Sequence, residues 1–341
     1  MKTIRSRAPL RLSFAGGGTD VEPYLSEHGG MVLSCGIDRY AYASMTVTAE
    51  PGYTIRSLDY DVVTPYRTEE RIGADTDLAL IKGVLHRLRV PTVDSGPGFE
   101  LTLHTDAAPG SGLGSSSALV VAIIGVFKHW LHLPYSDYEV ADLAYEIERR
   151  DLALVGGKQD QYAATFGGFN LIEFTRDSTI VNALRIADGT LNELDYNLLL
   201  CEVGKRRSPT GIIEQQVEAC HTHEAAVMDA MAELKSIAIA LKNALLGGHV
   251  REFGALLHQA WLAKKRLASG ITTPEIDELY EAARQAGALG GKISGAGGGG
   301  HMYFYCDQGR RHHVAAALAA RGARLVDVHF DAKGLQTWTA R

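Results

Sequence analysis

Long basic runs, zinc-type cysteine spacing and apolar stretches of membrane-spanning length are all missing from this chain of 341 residues. The net charge is −6, so the chain lacks the basic surface of a nucleic-acid-binding protein, and we expect no nucleic-acid partner. The longest apolar stretch, residues 118–127, is about half as long as a bilayer requires. No apolar segment follows the basic residues near the N-terminus, so we expect a cytoplasmic protein without membrane attachment.

The sequence also lacks a CxxC pair, a Walker-type lysine motif, an internal repeat and a low-complexity linker. Its four scattered cysteines are therefore expected to be buried, reduced thiols. The length suits two domains of moderate size, which we expect to comprise residues 1–185 and 186–341. Glycine, by contrast, is abundant: the 37 glycines exceed the usual share of about 7%, and many lie in three loop segments.

The middle glycine segment reads Pro109-Gly110-Ser111-Gly112-Leu113-Gly114-Ser115-Ser116-Ser117-Ala118 and continues into a helical pattern. Glycines leave backbone N–H groups open to an anion, and a helix N-terminus adds unpaired N–H groups and the positive end of a dipole. The segment therefore predicts a phosphate-binding loop. The alternative is a flexible loop followed by an ordinary serine N-cap.

Hydrophobic periodicity predicts a mixed α and β chain. A Thr-Thr-Pro-Glu sequence at 272–275 is typical of a helix start, and Gly287 of its end. The predicted strands are 41–48, 99–105, 196–203, 301–306 and 323–330, and helical spacing covers 118–131, 139–150, 211–246, 251–267, 275–286 and 311–321.

The third glycine segment, residues 292–300, formally contains the dinucleotide-binding pattern GxGxxG. Such a fingerprint follows a strand and begins a helix, whereas this one runs into a predicted strand, so we reject that interpretation. We expect the segment to pack against the phosphate loop or the substrate, with Gly297 and Gly298 on the substrate side.

The first glycine segment completes a resemblance. Arg7-Ala8-Pro9-Leu10-Arg11-Leu12-Ser13-Phe14-Ala15-Gly16-Gly17-Gly18-Thr19-Asp20, the middle loop and the third loop resemble, in order and spacing, the three motifs of the galactokinase, homoserine kinase, mevalonate kinase and phosphomevalonate kinase superfamily. The resemblance covers essentially the whole chain. It implies a two-domain α+β fold, with an N-terminal domain like the second domain of ribosomal protein S5 and a ferredoxin-like C-terminal domain.

Within this superfamily, Phe14 to Asp20 with Pro23-Tyr24, together with Gly156-Gly157-Lys158-Gln159-Asp160-Gln161, resemble the D-glycero-D-manno-heptose 7-phosphate kinases. That resemblance implies an ATP- and Mg²⁺-dependent kinase. Its substrate would be the heptose 7-phosphate and its product the 1,7-bisphosphate, used for nucleotide-activated heptose and surface polysaccharide synthesis. The implied partners are small molecules, ATP and a sugar phosphate, and a homo-oligomer is possible.

The same resemblance implies catalytic and metal-binding residues. Asp160 matches the superfamily's catalytic aspartate, which accepts or orients the proton of the attacking hydroxyl, and Arg11 matches the basic residue beside it. Glu148 and Ser116 match the magnesium ligands. Without the resemblance, Asp160 reads as a turn residue and Arg11 as a surface group. For the metal, Glu146 is the rival carboxylate, and either glutamate reads equally as a solvated helix charge paired with a neighbouring arginine.

For the sugar, Asp20 matches the superfamily's hydroxyl acceptor, whereas Gly17 and Gly18 stand where galactokinases have a glutamate and a histidine. The missing side chains argue against galactose and for a larger or differently shaped sugar. Lys158 and Arg207 are candidates for a sugar phosphate, with solvated surface charges as the alternative. The remaining predicted substrate-binding residues are Thr19, Gly157 and Gln159.

Three other functions remain as alternatives. One is another anomeric sugar kinase, such as an L-fucose kinase-like enzyme, and a second is a non-catalytic sensor that binds ATP and sugar. The retained Arg11, Ser116, Glu148 and Asp160 argue against the sensor, because a binding module needs no proton acceptor. The third, a decarboxylase of the mevalonate branch, is disfavoured by the sugar-type Asp20.

Overall fold

The computed structural model describes residues 2–50, 52–59, 62–66, 78–90, 97–204 and 210–341. The strands are β1 (Lys2–Ala15), β2 (Gly30–Thr48), β3 (Tyr53–Ser57), β4 (Val62–Tyr66), β5 (Gly98–Thr105), β6 (Phe169–Phe174), β7 (Thr179–Ala183), β8 (Leu198–Val203), β9 (Ala288–Ile293), β10 (Gly300–Cys306), β11 (Arg324–Val326) and β12 (Gln336–Thr339). The helices are α1 (Tyr24–His28), α2 (Ala79–Arg87), α3 (Ser115–Leu131), α4 (Asp137–Glu146), α5 (Gln159–Phe166), α6 (Asp188–Asn197), α7 (Thr210–His221), α8 (Ala225–Leu246), α9 (Val250–Lys265), α10 (Pro274–Ala286) and α11 (Arg311–Ala319). In these ranges, none of the helices combines the length and apolar character needed to cross a membrane.

Strands β1 and β2 form the centre of the first sheet, whose order is β12-β1-β2-β5-β3-β4, with β6 on the first part of β2 and β7 beside β6. The pairings are antiparallel except for β3 with β5. Residues 8–15 of β1 are buried without a break, because α3, α5, α8 and α9 all pack against this strand. The strand therefore carries Arg11 into the interior of the molecule.

The second sheet is antiparallel in the order β11-β8-β10-β9. Counted along the chain, its strands stand in the order 4-1-3-2 with a β-α-β-β-α-β connection, which is the ferredoxin-like arrangement. The two sheets confirm the predicted two-domain α+β fold. A domain boundary near residue 185 remains a prediction, and the last strand, β12, lies in the first sheet beside β1.

The end of β1 joins the two halves of the molecule. The Phe14 ring packs edge-on against Phe253 of α9 and Tyr303 of β10, with ring centroids 5.2 and 5.7 Å apart. The Lys292 ammonium and the Tyr303 hydroxyl both donate hydrogen bonds to the Ser13 carbonyl, at 2.6 and 2.8 Å. These contacts fix the position of the first glycine segment relative to the second sheet.

Several element boundaries differ from the predictions for local reasons. The helix predicted at 139–150 begins at Asp137, because Ser136 and Glu139 form a capping box, and it changes to a π-helical turn at Ile147–Asp151. The helical stretch 211–246 is divided at His223, whose φ is +50°. The predicted strand 323–330 is reduced to β11, and Phe330 instead forms a bridge with Ile37 in the first sheet. All four cysteines are free and buried, as predicted.

Candidate active site

A cavity of about 310 Å³ lies where the three glycine segments meet. Residues of β1, of the N-termini of α3 and α5, of α7 and of α9 also line it. The predicted site residues in its wall are Arg11, Gly17, Gly18, Asp20, Gly110, Gly112, Gly114, Ser115, Ser116, Ser117, Glu148, Gly157, Gln159, Asp160 and Gly297.

The middle loop has the geometry expected of a phosphate-binding loop. Gly110, Gly112 and Gly114 all have φ between 75° and 78°, in the left-handed region that favours glycine. Helix α3 begins at Ser115, three residues before the predicted start, and its N-cap is Gly114, which makes no side-chain capping bond. The alternative of an ordinary serine N-cap is therefore wrong, and the first N–H groups of α3 remain available to an anion.

The other predicted loop residues, Pro109, Ser111 and Leu113, do not line the cavity. The carbonyls of Ser111 and Leu113 instead accept hydrogen bonds from the His301 ring and from the Arg11 N–H, at 2.8 and 2.9 Å. These contacts attach the loop to β10 and β1.

The third loop connects β9 to β10 and packs closely against the middle loop. A Cβ atom on Gly112 would lie 2.3 Å from the Ser294 carbonyl oxygen, so only glycine permits this approach. The loop leads into a strand, which confirms that it is not a dinucleotide-binding fingerprint. Gly297 lines the cavity, but Gly298 does not.

Arg11 joins all three glycine segments to Asp160. Its Nε donates to Oδ1 of Asp160 at 2.8 Å, and its Nη1 donates to the Gly112 carbonyl at 2.5 Å and to the Ser294 hydroxyl at 3.2 Å. Arg11 is buried, whereas the Asp160 side chain is 23% exposed and faces the cavity. Oδ2 of Asp160 has no hydrogen-bond partner among the described residues, so one carboxylate oxygen is available to a ligand.

Asp20 is buried in the wall of the cavity and accepts several N–H bonds. The backbone N–H groups of Gly18 and Gln159 each donate at 3.0 Å, and the Gln159 amide lies 3.2 Å from both oxygens. Burial raises the pKa of Asp20, and the two backbone N–H groups oppose this shift. A Cβ on Gly157 would lie 2.0 Å from Oδ2 of Asp20, so the glycine permits this contact.

Two buried oxygen atoms near Gly17 have no hydrogen-bond partner in the part of the chain that the structure describes. They are Oγ of Ser13 and Oε1 of Gln159, which lie 3.4 and 3.8 Å from the position that a Gly17 Cβ would occupy. Buried polar atoms are normally hydrogen-bonded. Both residues line the cavity, but these two atoms are themselves shielded from solvent and are exceptions to this rule.

Glu148 is buried in the π-helical turn and, like Ser116, lines the cavity. Its carboxylate accepts a hydrogen bond from the Gln161 amide, which also contacts Ser117. Burial raises the pKa of Glu148, while Arg149 and Gln161 act in the opposite direction. The rival residue, Glu146, forms surface ion pairs with Arg87 and Arg150 and does not line the cavity.

Two further predicted substrate-binding residues, Thr19 and Lys158, do not line the cavity. The Thr19 hydroxyl donates to the Gly16 carbonyl at 2.7 Å, so it holds the turn. The Lys158 ammonium is 3.4 Å from Asp142 and does not line the cavity. Arg207 lies outside the described residues.

Comparisons with known proteins identify the family of this chain. The model of the GHMP kinase N-terminal domain matches residues 79–168, and that of the C-terminal domain matches residues 237–324. The chain belongs to the GHMP kinase family. Over 99% of both chains it is 37% identical to the D-glycero-alpha-D-manno-heptose 7-phosphate kinase of Campylobacter jejuni. It is therefore a phosphotransferase of a family whose members use ATP.

Two further relatives of this GHMP kinase are informative. A crystal structure of a D-glycero-D-manno-heptose 1-phosphate kinase from Bacteroides thetaiotaomicron matches with a TM-score of 0.81, 36% identity and 99% coverage of both chains. The L-fucokinase/L-fucose-1-P guanylyltransferase of Bacteroides fragilis is 26% identical over 98% of this chain, which corresponds to 38% of that longer protein.

Lys264 and Gln216 also line the cavity of this GHMP kinase, although neither is predicted from the sequence. A signal for Lys264 exists: it continues the buried stripe Phe253, Leu257, Ala260 and Trp261 along α9. A lysine on the apolar face of a helix is unusual and points to a special environment. Gln216 offers no comparable signal, because a buried glutamine on α7 reads as an ordinary helix residue.

Proposed function

We propose that this GHMP kinase transfers the γ-phosphoryl group of ATP to the anomeric hydroxyl of D-glycero-D-manno-heptose 7-phosphate. The product would be the 1,7-bisphosphate, for nucleotide-activated heptose and surface polysaccharide synthesis. The observation that carries the proposal is the Arg11–Asp160 pair in a cavity that the glycine loop and Asp20 also line. The heptose kinase relative from Campylobacter jejuni supports the substrate.

In this mechanism, the anomeric hydroxyl donates its proton toward Oδ2 of Asp160 while its oxygen attacks the γ-phosphorus and ADP leaves. Arg11 orients Asp160 through its contacts with Oδ1 and, being buried, adds positive charge next to the reacting groups. The N–H groups of the glycine loop and of the first turn of α3 hold the ATP phosphates.

Magnesium fits the donor set at Glu148 and Ser116. Mg²⁺ favours a carboxylate and a hydroxyl together with phosphate oxygens and water, and Glu148 is a buried carboxylate that reaches the cavity. When bound there, the ion would neutralise charge on the transferring phosphates. Glu148 and Ser116 would hold it, and Gln161 would orient the Glu148 carboxylate.

At the sugar end, Asp20 would accept a hydroxyl of the sugar. Gly17 and Gly18 stand where galactokinases have two larger side chains, and a Cβ on Gly18 would already lie 3.1 Å from Cδ1 of Leu267. The missing side chains therefore favour a sugar that differs in shape from galactose. We further propose that the enzyme is cytoplasmic and acts on small molecules without nucleic-acid or membrane partners. We also propose that it can form a homo-oligomer.

An L-fucose kinase-like activity is the second candidate, because the fucokinase relative matches nearly the whole of this chain. The names of the two heptose kinase relatives also differ in the position of the phosphate on their substrate. The Campylobacter jejuni protein is named for heptose 7-phosphate and the Bacteroides thetaiotaomicron protein for heptose 1-phosphate. A substrate panel therefore needs both heptose phosphates, together with heptose, mannose, mannose 6-phosphate, fucose and galactose.

The test is ADP release from ATP and Mg²⁺ against this panel, with the phosphorylated position assigned by phosphorus NMR. A strong preference for heptose 7-phosphate with new phosphate at C1 supports the proposal. Turnover of fucose alone favours the second candidate. Phosphorylation of heptose 1-phosphate would mean that the phosphate at C1 is already present on the substrate and that the enzyme adds the other one. ATP binding without turnover on any sugar would overturn the kinase assignment in favour of a sensor.

A further inference from the structure

The cavity contains a buried lysine that has no role in the mechanism above. Lys264 is only 4% exposed, lines the cavity and lies in the last turn of α9. The N–H of Leu267 donates to its carbonyl at 3.1 Å, and a Cβ on Gly18 would lie 3.1 Å from Cδ1 of Leu267. The end of α9 therefore lies against the Gly17-Gly18 turn, on the sugar side of the cavity.

The charged groups around Lys264 leave it a cation at neutral pH. Burial lowers the pKa of Lys264 to about 8, Asp20 raises it and Arg11 lowers it. Lys292 is a further charged neighbour, and the charge of Lys264 in turn lowers the pKa of Lys292. Lys264 thus brings three N–H donors and a positive charge into the cavity.

The carboxylates of the cavity are already supplied with donors. Asp160 is paired with Arg11, Asp20 accepts the N–H bonds of Gly18 and Gln159, and Glu148 accepts from Gln161. The Lys264 ammonium, by contrast, has no hydrogen-bond partner in the described ranges, and no carboxylate there lies within ion-pair distance of it. A buried, unpaired ammonium is costly, so the cavity lacks an acceptor at this position.

We propose that Lys264 binds the phosphate group that the sugar substrate already carries; this inference rests on the proposed function. A phosphate dianion provides charged acceptors, and charge-assisted hydrogen bonds are roughly twice as strong as those between neutral groups. Repulsion from Asp20 is moderated, because its oxygens accept several N–H bonds.

The other described lysines near the site are already engaged. The Lys158 ammonium pairs with Asp142 outside the cavity, and Lys292 donates to the Ser13 carbonyl at 2.6 Å. Arg149 lines the cavity, but its guanidinium contacts the Gly157 carbonyl at 3.3 Å and lies 3.8 Å from Glu148. Lys264 is thus the better candidate for the substrate's own phosphate.

The experiment compares Lys264→Met with Lys265→Met, a matched change at the next residue of α9, whose ammonium pairs with Asp277 at 3.3 Å on the surface. KM and kcat are measured with heptose 7-phosphate and with heptose. We expect Lys264→Met to raise KM for heptose 7-phosphate about 10- to 100-fold and to leave KM for heptose unchanged. Lys265→Met should change neither. Thermal unfolding of both variants checks that they are folded.

The pH profile gives a second readout. In the wild type, KM for heptose 7-phosphate should rise above about pH 8 as Lys264 loses its proton, whereas the profile of Lys264→Met should be flat there. Equal losses of affinity for the phosphorylated and the unphosphorylated sugar, or identical pH profiles, would overturn the inference and assign Lys264 to a hydroxyl or to the fold.

Failure of the proposed function is distinguishable from failure of this inference. A wild type that does not phosphorylate heptose 7-phosphate refutes the function. In that case, the affinities of the protein for mannose 6-phosphate and for mannose, measured by calorimetry, test the role of Lys264. If the wild type binds mannose 6-phosphate more tightly than mannose and Lys264→Met loses this preference, the inference is supported. Equal affinities of the wild type for the two sugars overturn it.

Discussion

Two nitrogens of Arg11 contact the same oxygen of Asp160: Nε and Nη2 lie 2.8 and 2.6 Å from Oδ1. The other carboxylate oxygen, Oδ2, has no partner among the described residues and belongs to a side chain that faces the cavity. One oxygen is thus fixed by a cation while the other remains available to a reacting hydroxyl. This division suits a group that is held in one orientation and accepts a proton.

Asp160→Asn should lower kcat by about 10²- to 10⁴-fold, because the amide cannot accept the proton of the attacking hydroxyl. KM for ATP should change little, since the glycine loop and the start of α3 are untouched. Steady-state kinetics against Asp177→Asn, an exposed aspartate in the turn after β6, provide the comparison. Wild-type turnover in Asp160→Asn would remove Asp160 from the mechanism.

Glu148→Gln should raise the Mg²⁺ concentration for half-maximal activity about tenfold or more, because an amide oxygen is a weaker ligand than a carboxylate. Glu146→Gln is the matched control, since Glu146 pairs with Arg87 and Arg150 and does not line the cavity. The measurement is a magnesium titration of both variants at saturating ATP. Equal titrations for Glu148→Gln and the wild type would rule out Glu148 as a ligand.

The parts of the site that the sequence predicts are those that are contiguous in the chain. Glycine spacing followed by a helical pattern identifies the loop before α3, and the motif around Asp160 is likewise local. Lys264 escaped prediction, because it is more than a hundred residues from Asp160 and reaches the cavity through the packing of α9. Lys158 shows the converse: it is close to Asp160 in sequence, but its ammonium lies against Asp142.

The same distinction applies to the fold. The two-domain α+β class follows from periodicity together with the resemblance, since both use local patterns. The pairing of β12 with β1 joins Arg7 to Gln336, and no local pattern specifies a partner so far away. Hydrophobic periodicity also does not predict the π-helical turn that contains Glu148. The turn differs from the preceding helix in its backbone hydrogen bonding, which the spacing of apolar residues does not report.

Gly112→Ala should raise KM for ATP about tenfold or more. The new Cβ would lie 2.3 Å from the Ser294 carbonyl oxygen, and the φ of +78° disfavours alanine by about 1 kcal/mol, so the two glycine loops must move apart. Gly189→Ala is the control, because a Cβ on Gly189 meets no atom within 4 Å. Unchanged nucleotide kinetics in Gly112→Ala would show that the contact between the loops does not shape the ATP site.

Lys264→Met should make the substrate-free protein more stable at pH 7. Because the pKa of Lys264 falls from 10.5 to about 8 on folding, the folded state binds fewer protons than the unfolded state between these values. The free energy of unfolding therefore rises with pH across that window, and below it the buried charge costs up to about 3 kcal/mol. Methionine removes the charge, so the thermal midpoint should rise by a few degrees at pH 7.

The advantage of Lys264→Met should then shrink as pH increases from about 8 toward 10.5, where the wild-type lysine loses its proton. Thermal unfolding of the wild type, Lys264→Met and Lys265→Met at pH 7 and pH 9.5 measures this difference. Lys265→Met should show no such trend, because its ammonium is on the surface with Asp277. If Lys264 is kept for ligand binding, Lys264→Met should gain stability and lose affinity for the sugar phosphate. If Lys264→Met is less stable than the wild type at both pH values, Lys264 stabilises the fold instead.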